Sequence, residues 1–549
     1  MHKKNLIELI NNKQFDDAEK KIQLLIKKNT NNEEYFFIYG ILLANTNRYK
    51  EAINYFNKCK DKKTESLFHI GGCHQALGNC QEAIKYYGSY INLVKDNNDA
   101  YHRLALCYRY LKDYDLAINC LNRSLEIQTD HTSYLLLGFT YREMGKFSDA
   151  KINFQKVLDI KLNNFEAKIS LATINLDEGH TNEALSLLNN MIIDNSLTKE
   201  EHIKIRIELG NVYKSIGNYT EAINQLKKIL KDTPRHPGAS YNLSICLLLM
   251  KEFDMAWYYH EERFNLSGFG RLRNQLQKFE KPLWNNNRPY TNILIWSEQG
   301  LGDVILYSQF IDLIKRQFIN LSIAVEKKII IFFQKIYPDI NVIDMDTIDN
   351  FKNYDYHLPI GSLGRYFQKK DFKIEYIKRI YKINSNIPVI KKRKLRCGIS
   401  WTSSNKLFGH KKSIDIKLLK NIFLIPAIEF VNLQFINDEN ISPEMENILS
   451  MAFIDHKIDC YSDIDGVASL ITTCDFVITI SNTNAHIAGK LGVKTFLMLP
   501  FADGKLWYWG DNKEGKILWY PSITPIRQLQ NGDWGSCISQ LSIELEKLL

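Results

Sequence analysis

Apolar and small positions recur through the first half of the chain with a period near 34. Alanines at 18, 52, 83, 117, 150, 184, 222 and 256 are separated by 34, 31, 34, 33, 34, 38 and 34 residues. Twelve residues before seven of them stands another small residue: Gly40, Gly71, Ala105, Gly138, Ala172, Gly210 and Ser244. Two small positions twelve apart are what two antiparallel helices need where their backbones cross closely, so the pattern predicts seven to eight helix pairs over residues 1–265. A large residue four after the alanine (Phe56, Tyr87, Leu121, Phe154, Leu188, Leu226) and an aromatic three before it (Tyr49, Tyr114, Phe147, Tyr219, Phe253) are predicted to pack in the same seam.

Beyond an irregular, proline-bearing stretch assigned to a linker over 266–290, the periodicity changes. Ile293–Trp296 is a short apolar run, followed by Glu298-Gln299-Gly300-Leu301-Gly302-Asp303 and a helical pattern, the opening of a βαβ unit. Further strands are predicted at Leu321–Val325, Asn341–Ile343 and Tyr354–Leu358. After a basic segment, Asn384 to Arg396, read as an interdomain linker, a second series follows at Cys397–Trp401, Glu429–Gln434, Asp475–Ile480 and Thr495–Leu499, with helices over Asp465–Thr472 and Ala485–Leu491. Two successive Rossmann-like α/β domains, 291–390 and 391–549, are therefore expected, with ligand at the carboxyl ends of their strands.

Composition narrows the partners. Across 549 residues the chain is 45% hydrophobic and 24% charged, with net charge +9, enough to bury several cores. The positive excess is mild and dispersed, so nucleic acid is not the expected partner, whereas an anionic small molecule is compatible. No apolar run reaches the length of a signal peptide core or a membrane span, and a cytoplasmic protein is expected. Ten cysteines without a C-x-x-C pair suit buried free thiols rather than disulfides or zinc.

Candidate chemistry collects at two points. The turn Gly300-Leu301-Gly302 brings backbone close to a ligand, with Asp303 at the start of the following helix. In the second series, Ser481-Asn482-Thr483-Asn484-Ala485-His486 gathers hydroxyls, amides and N–H groups at a helix start, a cradle suited to a diphosphate. On the repeats, positions four after the small residue include Arg109, Arg142 and Lys214, which would make part of a concave groove basic. Trp507, Trp509 and Trp519 are read as packing residues and Asp465 as a helix cap.

In period and in its small positions, the first half resembles the tetratricopeptide repeat, implying an α-solenoid that binds protein or peptide. The asparagine ladder of the nucleocytoplasmic O-linked N-acetylglucosamine transferases is absent, since the equivalent positions read Ile38, His69, Arg103, Leu136, Ser170, Glu208 and Asn242. The segments ILIWSEQGLGDVILYSQF, CGISWTSS, GHKKSIDI, SDIDGVASLITTCDFVITISNTNAHIAGKLGVKTFLMLP and WYWG…WYPSITPIRQ…GDW resemble the catalytic half of bacterial tetratricopeptide-repeat glycosyltransferases, itself similar to the lipopolysaccharide heptosyltransferase family of GT-B fold.

The resemblance implies inverting, metal-independent sugar transfer from a nucleotide-sugar co-substrate, with 291–390 on the acceptor side and 391–549 on the donor side. It places the general base on Asp303, with Glu298 in reserve. It places donor-phosphate contacts on Gly300, Gly302, Ser481, Asn482, Thr483 and His486, and on Lys411, Lys412 and Ser413, in place of a metal ion. The expected acceptor is a hydroxyl of a protein, flagellin or another surface protein, recruited by the repeats. The alternatives are a lipid-linked or lipopolysaccharide sugar as acceptor, or a non-catalytic interaction protein with a relic second half. On this division, removal of residues 1–240 is expected to spare nucleotide-sugar binding.

Overall fold

The computed structural model describes residues 2–60, 62–266, 276, 279–285, 292–348, 353–368, 381, 394–403, 409–436, 447, 453–454, 458–501, 506–510, 517–530 and 532–549. Both expected linkers, 266–290 and 384–396, lie largely outside these residues. Two compact units are present, Met1–Ser196 and Leu197–Leu549.

The first unit is all helical: α1 His2–Asn11, α2 Phe15–Lys28, α3 Glu33–Asn45, α4 Tyr49–Phe56, α5 Lys63–Ala76, α6 Cys80–Leu93, α7 Asn98–Leu111, α8 Tyr114–Ile127, α9 His131–Glu143, α10 Phe147–Ile160, α11 Phe165–Asp177 and α12 Thr181–Ile192. The second unit opens with two more pairs of the same kind, α13 Lys199–Ser215 with α14 Tyr219–Asp232, and α15 Pro237–Leu249 with α16 Phe253–His260.

All eight alanines of the series are 0% exposed. A Cβ placed on Gly40, Gly71 or Gly138 would lie 2.6, 2.8 or 2.6 Å from the ring of Phe56, Tyr87 or Phe154, sixteen residues on. The seam is therefore volume-matched. Glycine faces an aromatic at three positions, while Ala105 and Ala172 occur with the smaller Leu121 and Leu188. The aromatics three before the alanine open helices α4, α8, α10, α14 and α16. Only Phe253 among them is fully buried; the others are half-buried.

Each pair is closed by one left-handed residue five positions before the alanine: Lys13, Asn47, Gly78, Lys112, Gly145, Gly179, Gly217 and Lys251, with φ between 59° and 85°. That conformation reverses the chain between the two helices and suits glycine, yet three of the eight are lysines. Several first helices of a pair start on a side-chain cap, among them Asn32, Asn97, Asp130 and Asn164, which accept from backbone N–H groups of the first turn.

The rest of the second unit holds two parallel sheets. The first comprises β1 Asn292–Trp296, α17 Leu301–Tyr307, β2 Asn320–Val325, α18 Ile330–Ile336, β3 Asn341–Asp344 and β4 Tyr356–Pro359, in strand order β3-β2-β1-β4. The second comprises β5 Leu395–Ile399, β6 Ile428–Asn432, β7 Phe453–Ile454, α19 Ile464–Thr472, β8 Phe476–Ile480, α20 Thr483–Leu491, β9 Thr495–Leu499, β10 Ile523–Arg527 and α21 Trp534–Glu546, in order β10-β9-β8-β5-β6-β7. Every strand of β8 and β9 is buried along its whole length, as strands covered on both faces must be.

Two strands, β7 and β10, go beyond the predicted set. β10 reads ITPIR, and its Pro525 lowers its strand signal; it is tolerated because β10 lies at the sheet edge. Asp465 does not cap its helix as read from sequence. Asp463 does so, accepting from the Gly466 N–H at 2.8 Å, while Asp465 takes Lys335 at 2.6 Å and the Tyr381 hydroxyl at 2.6 Å.

Helices α13–α16 do not stand apart from the sheets. Ala222, Leu226, Leu243 and Trp257 share one apolar core with Trp284, Ile295, Tyr307 and Trp507. Trp257 lies edge-on to Tyr307 and Trp507, donates to Gln368 at 3.1 Å, and leaves no space for a side chain at Gly364. The range 1–265 assigned to the solenoid thus runs across the division between the two compact units.

Candidate functional site

Both sheets reverse strand order beside their first strand. In the first, β2 and β3 lie on one side of β1 and β4 on the other; in the second, β6 and β7 lie on one side of β5 and β8 on the other. At such switch points the loops leaving adjacent strands diverge and open a crevice at the carboxyl ends. The loops after β1, β5, β6 and β8 all contribute to one cavity of about 840 Å³ within the second unit, a size in the range of small-molecule and cofactor sites.

Among the predicted residues, Gly300, Gly302, Asp303, Lys412, Ser481, Asn482, Thr483 and His486 line this cavity. Asp303 opens α17 and is half-buried, and burial pushes its carboxyl up to about 6, against the opposing pull of the Lys412 ammonium. The Gly300 N–H and the Tyr508 hydroxyl also donate to the carboxylate. Lys412 ends the helical turn Gly409–Lys412, is 5% exposed, and has no hydrogen bond or ion pair to another described residue. Burial draws its ammonium below the ordinary lysine value, with Asp303 acting against that shift. A lysine ammonium held almost out of water is costly unless an anion completes it.

Asn482 caps α20, accepting from the Ala485 N–H at 3.3 Å and donating to Ser400 at 3.1 Å. It thus ties the loops after β5 and β8 together. Ser481 accepts from the Trp509 indole at 2.9 Å. Gly300 does not hold an unusual backbone, with φ −65° and ψ 161°, and it has room for a Cβ at 3.6 Å from the Asp303 carboxylate; close approach is the role of Gly302. A Cβ on Gly302 would lie 2.8 Å from the His486 ring, so α17 and α20 meet there.

The remaining predicted residues fall differently. Glu298 is directed away from the cavity and fully shielded, paired with Arg263 by two hydrogen bonds of 2.9 Å and accepting from the Gly361 N–H at 2.6 Å. Those three donors engage both of its oxygens, and it is not among the residues lining the cavity. His486 donates no charge: burial and the nearby Lys412 push it down to about 3, its Nδ1 lies 3.0 Å from the Tyr520 hydroxyl, and it packs against Trp509. Ser413 braces the loop, accepting from the Ser403 N–H at 3.0 Å and donating to the Gly409 carbonyl at 2.8 Å. Neither it nor Lys411 lines the cavity among the described residues.

The sequence did not predict that one wall of the cavity comes from the repeats. Tyr219, Tyr241 and Asn242, with Lys214, project from α13–α15 into the same cavity. Tyr241 lies close enough to Asp303 for that carboxylate to help raise its hydroxyl to about 12, behind the larger effect of burial. Lys214 was named as a groove position, Asn242 as the one asparagine at a ladder position and Tyr219 as a seam aromatic, but none was placed at the glycine loop. In the first unit Arg109 is turned to Glu143 at 3.4 Å and lies over Phe139, as Arg142 does, which offsets part of the expected basic character.

Among the described residues, no cluster of three or more His, Cys, Asp or Glu side chains is placed to hold a metal ion. No helix there is long and apolar enough to cross a membrane. All ten cysteines are free thiols, eight of them buried.

The family models that match the chain all fall on the repeats. Residues 96–163 and 207–257 match models of the tetratricopeptide repeat, and 11–90 match that of anaphase-promoting complex, cyclosome, subunit 3. The protein FlbA of Caulobacter vibrioides is 22% identical over 381 residues, 62% of this chain and 59% of FlbA. BBSome complex member BBS4 of Bos taurus is 21% identical over 225 residues, 40% of this chain and 42% of that protein. The chain thus spans about two to three fifths of these relatives. Among solved structures, a tetratricopeptide repeat protein of Parabacteroides merdae is 14% identical with TM-score 0.38, covering 45% of this chain and 99% of its own. Yeast Tom70 is 20% identical with TM-score 0.40, covering 49% and 58%. Over 96–163 and 207–257 the helix pairs are tetratricopeptide repeats.

Proposed function

We propose that this tetratricopeptide-repeat protein recruits a protein partner through its repeats, and that its second unit is a GT-B glycosyltransferase moving a sugar from a nucleotide-sugar to a hydroxyl of that partner. The observation that carries the catalytic part is the buried Lys412, without a hydrogen bond or ion pair to another described residue, in one cavity with Asp303. An acceptor hydroxyl gives its proton to the Asp303 carboxylate as its oxygen bonds to the anomeric carbon. The bond from that carbon to the diphosphate breaks, and its electron pair leaves on a phosphate oxygen. Lys412 and the N-terminal N–H groups of α20 meet the charge that develops there. A carboxyl poised near 6 is suited to accept a proton at neutral pH.

Asp303→Asn is expected to lower transfer by about 10²-fold or more, the scale of lost general-base catalysis. Wild-type turnover in that variant would remove Asp303 from the reaction. Transfer is expected to persist in excess EDTA, since a lysine and a helix start stand where a cation would otherwise act; a strict need for added magnesium or manganese would refute this account of the leaving group.

The family matches, all of which lie on repeats, favour a second reading: an interaction protein without catalysis. Under it, no nucleoside diphosphate binds the cavity and no partner gains sugar mass.

A further inference from the structure

The cavity carries an imbalance of charge. Among its described lining residues are three lysines, Lys214, Lys328 and Lys412, against a single carboxylate, Asp303. Lys412 stands on the second-sheet side, and Lys328 lies over the Tyr461 ring at 5.0 Å. Lys214 belongs to neither sheet. It ends the α13 face one turn beyond Gly210, and the hydrogen bond it makes is a long one, 3.4 Å to the Asn211 amide oxygen.

The wall around Lys214 is mixed in character. Ile245 and Leu249 present aliphatic surface, Tyr219 and Tyr241 aromatic rings with hydroxyls, and Asn242 an amide able to donate and accept. A free phosphate has no use for aliphatic and aromatic surface. An extended polypeptide does, because it alternates side chains with backbone amides, and a carboxylate on it would be met by Lys214.

We propose that the wall formed by α13–α15 binds an acidic peptide segment, with Lys214 pairing a carboxylate beside the residue presented to Asp303. This rests on the reading of the cavity given above only for the role of Asp303; the docking itself does not require catalysis. It makes Lys214 a specificity-determining residue and makes the last repeats part of the site rather than a remote recruiting arm.

The test uses the full chain and two fluorescein-labelled twelve-residue peptides. One has a central serine flanked by glutamates, and in the other each glutamate is glutamine. Fluorescence anisotropy at low ionic strength is expected to show the acidic peptide binding about five- to tenfold tighter, in the range of a partly shielded charge pair. Lys214→Glu should abolish that preference and Lys214→Arg should keep it. Lys228→Glu, at an exposed position of α14 outside the cavity, should leave it unchanged, which separates pairing at Lys214 from net charge. Equal binding of the two peptides, no measurable binding of either, or a preference that survives Lys214→Glu would overturn the proposal. Calorimetry with nucleoside diphosphates on the same samples separates the two ideas. Nucleotide binding without peptide preference defeats this inference alone, and peptide preference without nucleotide binding defeats the glycosyltransferase reading alone.

Discussion

Asp303 is distinguished by the price its environment puts on its charge. Burial raises its carboxyl to about 6, so the folded protein holds a proton between the ordinary carboxylate range and that value while the unfolded chain does not. Stability from this group is present in full below the ordinary carboxylate range and is lost as pH rises through about 6. Asp303→Asn should therefore melt at a higher temperature than wild type at pH 8 even as transfer falls, and the gain should shrink as pH drops below 6. A lower melting temperature at pH 8 would show that the carboxylate is structural. Lys412→Met should weaken nucleoside diphosphate binding by roughly tenfold or more, the worth of a hydrogen bond to a charged group, and should shift the pH–rate midpoint upward, because the ammonium is what restrains the Asp303 shift.

Much of this was legible at the residue scale because strand, glycine turn and helix follow one another locally. Gly302, Asp303 and Ser481–Thr483 come together through that order. The role of Glu298 was not legible, since its partner Arg263 lies 35 residues away and is joined to it by the fold rather than by local sequence.

At the scale of elements, the small positions of the repeat seam and the large residues facing them were legible, because helix pairing depends on side-chain volume at fixed spacing, whereas the aromatics three before the alanine are mostly half-buried and Tyr219 turns to the cavity. The Gly138 and Phe154 pair illustrates the consequence. Gly138→Ala forces a Cβ to 2.6 Å from the ring and should destabilise the first unit by about 1–3 kcal/mol. Adding Phe154→Leu should recover part of the loss, imitating the alanine and leucine found at 172 and 188. Urea denaturation of the single and double variants measures this. The left-handed residues escaped the sequence reading because only four of the eight are glycine. Lys112 and Lys251, at φ 67° and 63°, are strained for a side-chain-bearing residue. Lys112→Gly should stabilise by up to about 1 kcal/mol, and a loss of stability would mean that the lysine side chain makes contacts outweighing its backbone strain.

On the scale of the whole molecule, the repeats and the sheets do not divide where the periodicity ends. The change of period near 290 is a property of local sequence, whereas the core that joins Leu226, Trp257 and Trp507 is made by side chains hundreds of residues apart. Removal of residues 1–240 would strip Lys214 and Tyr219 from the cavity and Ala222 and Leu226 from that core, contrary to the expectation that donor binding would survive it. A chain of 197–549, cut at the boundary between compact units, should fold cooperatively and match the full chain in titrations with nucleoside diphosphates, while 241–549 should not. Within the second unit the Lys335–Asp465 pair and the Lys490 to Tyr337 hydrogen bond, 2.6 and 2.8 Å, link the helices of one sheet to those of the other and hold the cleft in place.

The most direct measurement of the central claim is calorimetric titration of the full chain with UDP, GDP, ADP and CDP in the presence of EDTA, repeated on Lys412→Met. One nucleotide should bind wild type with a dissociation constant in the micromolar range typical of enzyme substrates, and the variant should bind it at least about tenfold more weakly. Absence of binding by all four at millimolar concentration, or binding unaffected by loss of Lys412, would contradict the account and leave the repeats as the whole of the function.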